Sequence, residues 1–147
     1  MAQAVLVQSA WKIIPHLRSR DIEASVDYYS KVLGFTIGGV HGSDEAGKPT
    51  FCSLFAGKKA AANIYLSKPG AAEADKDWGA GSVWVALGTL ELDAFYEELA
   101  SGGLVEFVEM IENKEWGYRQ FTIRDPDGNR LTFFKFLEGG NPGNDEE

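Results

Sequence analysis

Two histidines, His16 and His41, and one cysteine, Cys52, are the chain's entire supply of imidazole and thiol groups. A nucleophile needs a base within reach and a third group to orient that base. The two histidines lie far apart in sequence, a single cysteine accompanies them, and no G-x-S-x-G elbow is present, so no usable nucleophile–base pair emerges. Cys52 sits between Phe51 and Leu54 and reads as a small buried hydrophobe. His16 lies on a strand of mixed polarity, where a hydrogen-bonded structural role is expected. His41 falls in the glycine-rich run GGVHGSDEAGK and is expected to be exposed. The glycines of that run, Gly38, Gly39 and Gly42, follow neither a phosphate-loop nor a dinucleotide spacing. Arg119 and Arg124 flank a strand, and Arg124-Asp125 in RDPDG is expected to brace a turn and carry no chemistry.

These residues ride on elements whose hydrophobic period switches several times. Trp11 to Leu17 is apolar and β-branched, a strand that Pro15 should confine to a sheet edge. Asp21 is a good N-cap for a helix of about three turns carrying Ile22, Val26, Tyr29, Val32 and Leu33 on one face, with Gly34 closing it. Strand-like runs follow at Phe35 to Val40, Thr50 to Phe55 and Ala61 to Leu66, the last two joined by a turn at Gly57-Lys58-Lys59. A Gly- and Ala-rich stretch of roughly 15 residues, long for a plain turn, reads as a linker.

The pattern then restarts. Val83 to Leu87 is a strand, and Thr89 can cap a helix whose buried stripe is Leu92, Phe95, Tyr96 and Leu99, ended by Gly102-Gly103. Leu104 to Ile111, Arg119 to Arg124 and Leu131 to Phe136 are again strands, with a strong turn signal at Asp125-Pro126-Asp127-Gly128-Asn129. Each half therefore reads strand, helix, three strands. Such a duplication means two units that bury their apolar faces together. Each sheet offers one face to its helix, so the other must curve around something or expose Tyr, Trp and Phe to water.

With 44% hydrophobic residues, the chain can bury a sizeable core, and 147 residues suit one domain. The formal net charge is −8. Four acids in the last ten residues (Glu138, Asp145, Glu146, Glu147) leave the folded body nearer −4. That argues against non-specific nucleic-acid binding. A lone cysteine forbids an internal disulfide and suits a reducing compartment. The N-terminus shows no secretory signal, and no apolar run approaches a membrane span of about 20 residues. The expectation is a cytoplasmic protein: an arm at 1–10, one domain at 11–137 (modules 11–67 and 82–137, linker 68–81) and a disordered acidic tail at 138–147.

The order of elements, with PHLRSRDIEASVDYYSKVLGF in the first half and WGYRQFTIRDPDGNRLTFF in the second, resembles the vicinal oxygen chelate superfamily. That group holds glyoxalase I, extradiol dioxygenases, and fosfomycin- and bleomycin-resistance proteins. The resemblance covers about residues 11 to 137 and looks closest to the bleomycin-resistance-like branch. It implies an α+β fold of two tandem βαβββ modules forming cupped mixed sheets, and a homodimer. In that branch an apolar N-terminal segment, here Ala4 to Val7, crosses to the partner chain.

Metal-dependent members hold a divalent ion on four cup-facing strand positions. Carried over, these fall at Ile14, Tyr65, Trp84 and Thr132, none an imidazole or carboxylate. A two-residue slip would bring in His16, since side chains alternate along a strand, but one histidine cannot build a site. The resemblance thus implies no metal and no cofactor, and a cup walled by rings. Such a cup holds a flat organic ligand by stacking, and a Trp or Tyr face also accepts a cation. Trp84 and Tyr65 could instead fill the cup as core. Trp116 corresponds to the tryptophan that stacks on the drug in bleomycin-binding relatives. Gly39 stands where those relatives place a second aromatic, so bleomycin itself is not implied.

The ligand-binding set expected on this basis is His16, Tyr65, Trp84, Trp116, Tyr118, Thr132 and Phe134. The function expected is sequestration of a small molecule, with no nucleic-acid or membrane partner. The alternatives are a metal-independent enzyme using His16, Tyr65 or Tyr118 as acid or base, and a metal-dependent lyase or dioxygenase.

Overall fold

The computed structural model describes residues 7–58, 60–70, 79–88 and 92–139. Most of the expected arm, linker and tail, with Lys59 and the proposed cap Thr89, lies outside them.

The first half runs β1 (His16–Arg18), α1 (Ile22–Asp27) with a π-helical turn at Tyr28–Val32, β2 (Thr36–His41), β3 (Phe51–Phe55) and β4 (Asn63–Ser67). The second runs β5 (Ser82–Ala86), α2 (Leu92–Gly102), β6 (Glu106–Asn113), β7 (Tyr118–Arg124) and β8 (Arg130–Phe136). The sheet orders β1-β4-β3-β2 and β5-β8-β7-β6 are the same order repeated, with the first strand parallel to the last in each. The fold is α+β with two tandem modules.

Local signals account for most boundaries. The Asp21 side chain accepts a hydrogen bond from the Ala24 amide at 3.1 Å, which starts α1. The Leu33 amide reaches back five residues to the Tyr28 carbonyl, which makes the last turn π-helical before Gly34. The first strand is a correction. The ladder begins at His16, not Trp11, although the Pro15 carbonyl still accepts from the Tyr65 amide at 3.0 Å. Pro15 has no N–H to give, and Trp11 and Ile13 stay exposed. β6 also starts later than expected, at Glu106.

Alternation sorts the side chains. Leu17, Cys52, Leu54, Ile64 and Leu66 turn toward Ile22 and Tyr29 of the first helix, whereas Phe121, Ile123, Leu131 and Phe133 turn toward Leu92 and Leu99 of α2. One buried core results. The opposite faces of both sheets are left for other work.

The DPDGN turn joins the modules. The Asp125 carboxylate is buried and accepts from the amides of Asp127 and Asn129 (both 2.9 Å), the Asn129 amide side chain (3.0 Å) and the Tyr29 hydroxyl (2.7 Å). Asp127 accepts from the Arg20 amide at 2.9 Å. Asn129 donates to the Arg18 carbonyl at 2.8 Å and accepts from the Gly81 amide at 2.9 Å. The turn thus latches the first module to the second sheet, Asp125 through Tyr29 and Asn129 through the end of β1. Arg124 takes no part in that latch. It faces the other way and pairs with Glu106 across the strand.

Candidate functional site

Strand register places the expected residues on two separate faces. In the first sheet, His16 pairs with Tyr65 and Tyr65 with Ser53, so they form one row on the face away from α1. His16 Nε2 lies 2.8 Å from Ser67 Oγ, and its ring meets Tyr65 edge-on at 6.2 Å. Phe51 joins this group 4.9 Å from Tyr65, and His41 stacks on Phe51 at 6.2 Å. His41 is exposed, as expected, but it ends β2 and shares that aromatic face.

In the second sheet, Trp84 pairs with Thr132, Thr132 with Thr122, and Thr122 with Glu109, so one row crosses all four strands. Around it Trp84 meets Phe134 at 5.6 Å and Tyr118 at 6.3 Å, and Tyr118 stacks on Phe134 at 4.6 Å. Phe136 closes the cluster 5.4 Å from Tyr118. Trp84 is 49% exposed and Trp116 54%, whereas Phe134 and Thr132 are largely covered. Five of the seven expected residues therefore share one face or its rim, with His16 and Tyr65 on the other sheet.

The ring face has a polar strip beside it. The Trp116 indole N–H donates to Gln120 Oε1 at 3.1 Å, and Gln120 Nε2 donates to Glu109 at 3.1 Å. Thr122 donates to the same Glu109 oxygen at 3.1 Å and lies 2.7 Å from Thr132 Oγ1. The Lys114 ammonium holds the other Glu109 oxygen at 2.6 Å and Glu112 at 2.5 Å, and stands 5.7 Å from the Trp116 ring centroid. Burial pushes the Glu109 carboxyl up, but the bonds from Lys114, Gln120 and Thr122 outweigh it and hold the group below its ordinary range. The hydrogen bonds to Glu109 and Glu112 raise Lys114.

Two clefts open among the described residues, the second reaching the edge of the ring cluster at Phe136. One of about 370 Å3 opens between the modules on the helix side, among Leu33, Phe35, Leu87, Phe95, Glu98 and Phe133. Another of about 410 Å3 runs past Arg119, Asp93 and Lys135. The first is a gap between two core flanks with a single carboxylate, and it lacks the convergent polar groups that orient a ligand.

The sequence model of the Glyoxalase/Bleomycin resistance protein/Dioxygenase superfamily matches residues 12–133. The chain belongs to that superfamily. Solved structures share its fold. TioX from Micromonospora sp. ML1 is 19% identical over 87% of this chain and 100% of that one, with a TM-score of 0.68. TnmS3, an antibiotic binding protein from Streptomyces sp. CB03234, is 20% identical over 86% and 96%, with a TM-score of 0.66. A glyoxalase/bleomycin resistance protein/dioxygenase from Nocardioides is 23% identical over 97% of each chain, with a TM-score of 0.65. No curated protein matches the chain in sequence.

Some members of the superfamily carry a metal, and the side chains here do not suit one. The register makes His16, not Ile14, the neighbour of Tyr65, which corrects the carried-over position by two residues. Even so, His16, Tyr65, Trp84 and Thr132 offer one imidazole, a phenol and a hydroxyl. Among the described residues no group of three or more His, Cys, Asp or Glu could hold an ion. No helix among them is long and apolar enough to cross a membrane.

Phe51, Phe136, Gln120 and Glu109 were missed from sequence. The first three had a signal. Phe136 and Gln120 stand two positions from Phe134 and Tyr118 on the same strands, and Phe51 lies opposite Ser67 on the face of Tyr65. Glu109 had none, because strand irregularities decide its face.

Proposed function

We propose that this superfamily member is a metal-free, cytoplasmic, homodimeric binding protein of the bleomycin-resistance type. It sequesters a planar or aromatic small molecule on the ring face of the second sheet, with Trp84, Trp116, Tyr118, Thr132 and Phe134 as contacts and no chemical step. His16 and Tyr65 form the corresponding face of the first sheet and close over the ligand from the partner chain or beside it.

One observation carries this reading. Trp84 stands half exposed against the stacked Tyr118 and Phe134, an uncovered aromatic surface that water solvates poorly. Covering roughly 200 Å2 of it contributes about 5 kcal/mol gross, before the cost of association. A positive charge on the ligand adds cation–π attraction at Trp84. TnmS3, which shares the fold, is an antibiotic binding protein, and its example supports a binding role here. Sequestration protects by mass action, so affinity and abundance set the protection.

Native mass spectrometry of protein purified from its own host tests the proposal. The expected spectrum is a dimer that retains an organic ligand, which Trp84→Ala and Trp116→Ala release. Stoichiometric Ni, Zn, Mn or Fe would overturn it. A second reading, a metal-independent enzyme, is favoured by the His16–Ser67 contact beside Tyr65. Conversion of the retained ligand to product on incubation would select it.

A further inference from the structure

Trp116 sits on the rim between β6 and β7 and is half exposed. Its surroundings leave it little freedom. The chain of hydrogen bonds behind it has a direction that chemistry fixes. An indole N–H only donates, so Gln120 turns its oxygen to Trp116 and its amide protons to Glu109. An ionised carboxylate only accepts, so the one hydroxyl proton of Thr122 goes to Glu109. Thr132, 2.7 Å away, must then give its own proton to Thr122. Both chains of donors, from Trp116 through Gln120 and from Thr132 through Thr122, therefore end at Glu109. Gln120 is 3% exposed and Thr122 and Thr132 little more, so none of these groups can exchange its partner for water without opening the sheet.

We propose that Glu109 and Gln120 are positioning residues for the ligand: together they lock the Trp116 ring as a preset stacking plate. This role rests on the binding function proposed above. The indole N–H faces inward, and Lys114 stands on the ring. Trp116 therefore meets a ligand by stacking, without a hydrogen bond of its own. Pre-setting the ring means that binding does not bear the entropy of ordering it.

Glu109 is the decisive member because it receives donors on both oxygens, from Gln120 and Thr122 on one and Lys114 on the other. Only a carboxylate accepts at both. Glu109→Gln keeps the shape, yet whichever way the amide is turned, one NH2 faces a donor. This substitution should free Trp116 although Glu109 does not touch it.

The test uses proflavine, a planar cationic dye, on the full chain. Wild type should bind it with tryptophan quenching, and Trp116→Ala should weaken binding about tenfold. Glu109→Gln should lose a similar factor, and so should Gln120→Leu, which serves if the first variant folds poorly. The Trp116 indole proton, assigned in NMR spectra from its loss in Trp116→Ala, should exchange with solvent faster in both. Because they act through one ring, the double variant Glu109→Gln/Trp116→Ala should be no weaker than either single one. Wild-type affinity in both Glu109→Gln and Gln120→Leu, or losses that multiply in the double variant, would overturn the positioning role while leaving the binding function standing. If wild type binds no proflavine and no other planar tricyclic dye, the binding function itself fails and this role with it.

Discussion

Replacing Tyr29 by Phe removes one oxygen from the latch between the modules and little else. Tyr29 is fully buried, and its hydroxyl donates to Asp125 at 2.7 Å, a charge-assisted bond with no access to water. The phenyl ring keeps its packing, so no sizeable cavity opens. What remains is a carboxylate with three donors where it had four. A hydrogen bond to a charged buried group contributes about 1.5–3 kcal/mol, so Tyr29→Phe should lower unfolding stability by about 2 kcal/mol, or roughly 4–8 °C in Tm. The pH dependence separates this from simple loss of packing. Burial raises the Asp125 carboxyl above its ordinary range, against the opposing bonds from Tyr29, Asn129 and Asp127. A group with a raised folded pKa adds stability below its unfolded pKa and loses it as pH climbs through the folded one. Ionised Asp125 is therefore a net cost at neutral pH, which its four donors offset only in part. Removing the Tyr29 hydroxyl raises the folded pKa further, so the deficit is complete at neutral pH and shrinks as Asp125 protonates. Urea unfolding at about pH 7 and about pH 4 measures both limbs. A deficit below about 0.5 kcal/mol at neutral pH, or one that does not shrink in acid, would refute the reasoning.

Three further outcomes follow from single sites. The Cys52 thiol is buried and pushed up to about 11, so a disulfide reagent at mildly alkaline pH should leave native protein unreacted and titrate one thiol per chain in denaturant. The Asp44 carboxyl is held down at about 2 by Lys68 and by the Lys48 and Ala46 amides. Its NMR titration should therefore fall well below an ordinary aspartate, and the stability it lends above the unfolded pKa should vanish as pH drops through about 2. Lys68→Met should move that midpoint up. Gly42 has φ +83°, and a Cβ there would lie 2.0 Å from Thr50 Oγ1. Gly42→Ala should cost about 2 kcal/mol or more in urea unfolding, through left-handed strain plus the clash.

Strand parity and turn chemistry made most of the fold legible from sequence. The alternation in β7 and β8 already separates Phe121, Ile123, Leu131 and Phe133 from Tyr118, Thr132 and Phe134, and the structure keeps that division. Two kinds of information were hidden. The first is distance in sequence. Asp125 looks like a turn residue because its neighbours are Pro126 and Gly128, but its partner Tyr29 lies 96 positions away. The second is irregular pairing. Glu106, Glu109 and Glu112 recur every third residue, so simple alternation puts Glu109 on the opposite face from the other two. Register shifts between Phe107 and Glu109, and between Glu109 and Glu112, set them opposite Arg124, Thr122 and Gln120, which share one face.

The two halves also show why the expected site splits as it does. His16 beside Tyr65 and Trp84 beside Thr132 are the same register position in two copies of one sheet order, each pairing a first strand with the parallel fourth. Duplication alone would make the two faces alike. The first copy carries an imidazole and a phenol there, the imidazole tied to Ser67 and edge-on to the phenol ring. The second carries an indole and a hydroxyl, with the proton of that hydroxyl already committed to Thr122. A polar group that is fully satisfied within its own sheet has little left to offer a ligand, whereas an exposed ring has its whole face. Stacking is therefore the interaction that the second face has kept available, and its buried polar residues serve to hold the rings still.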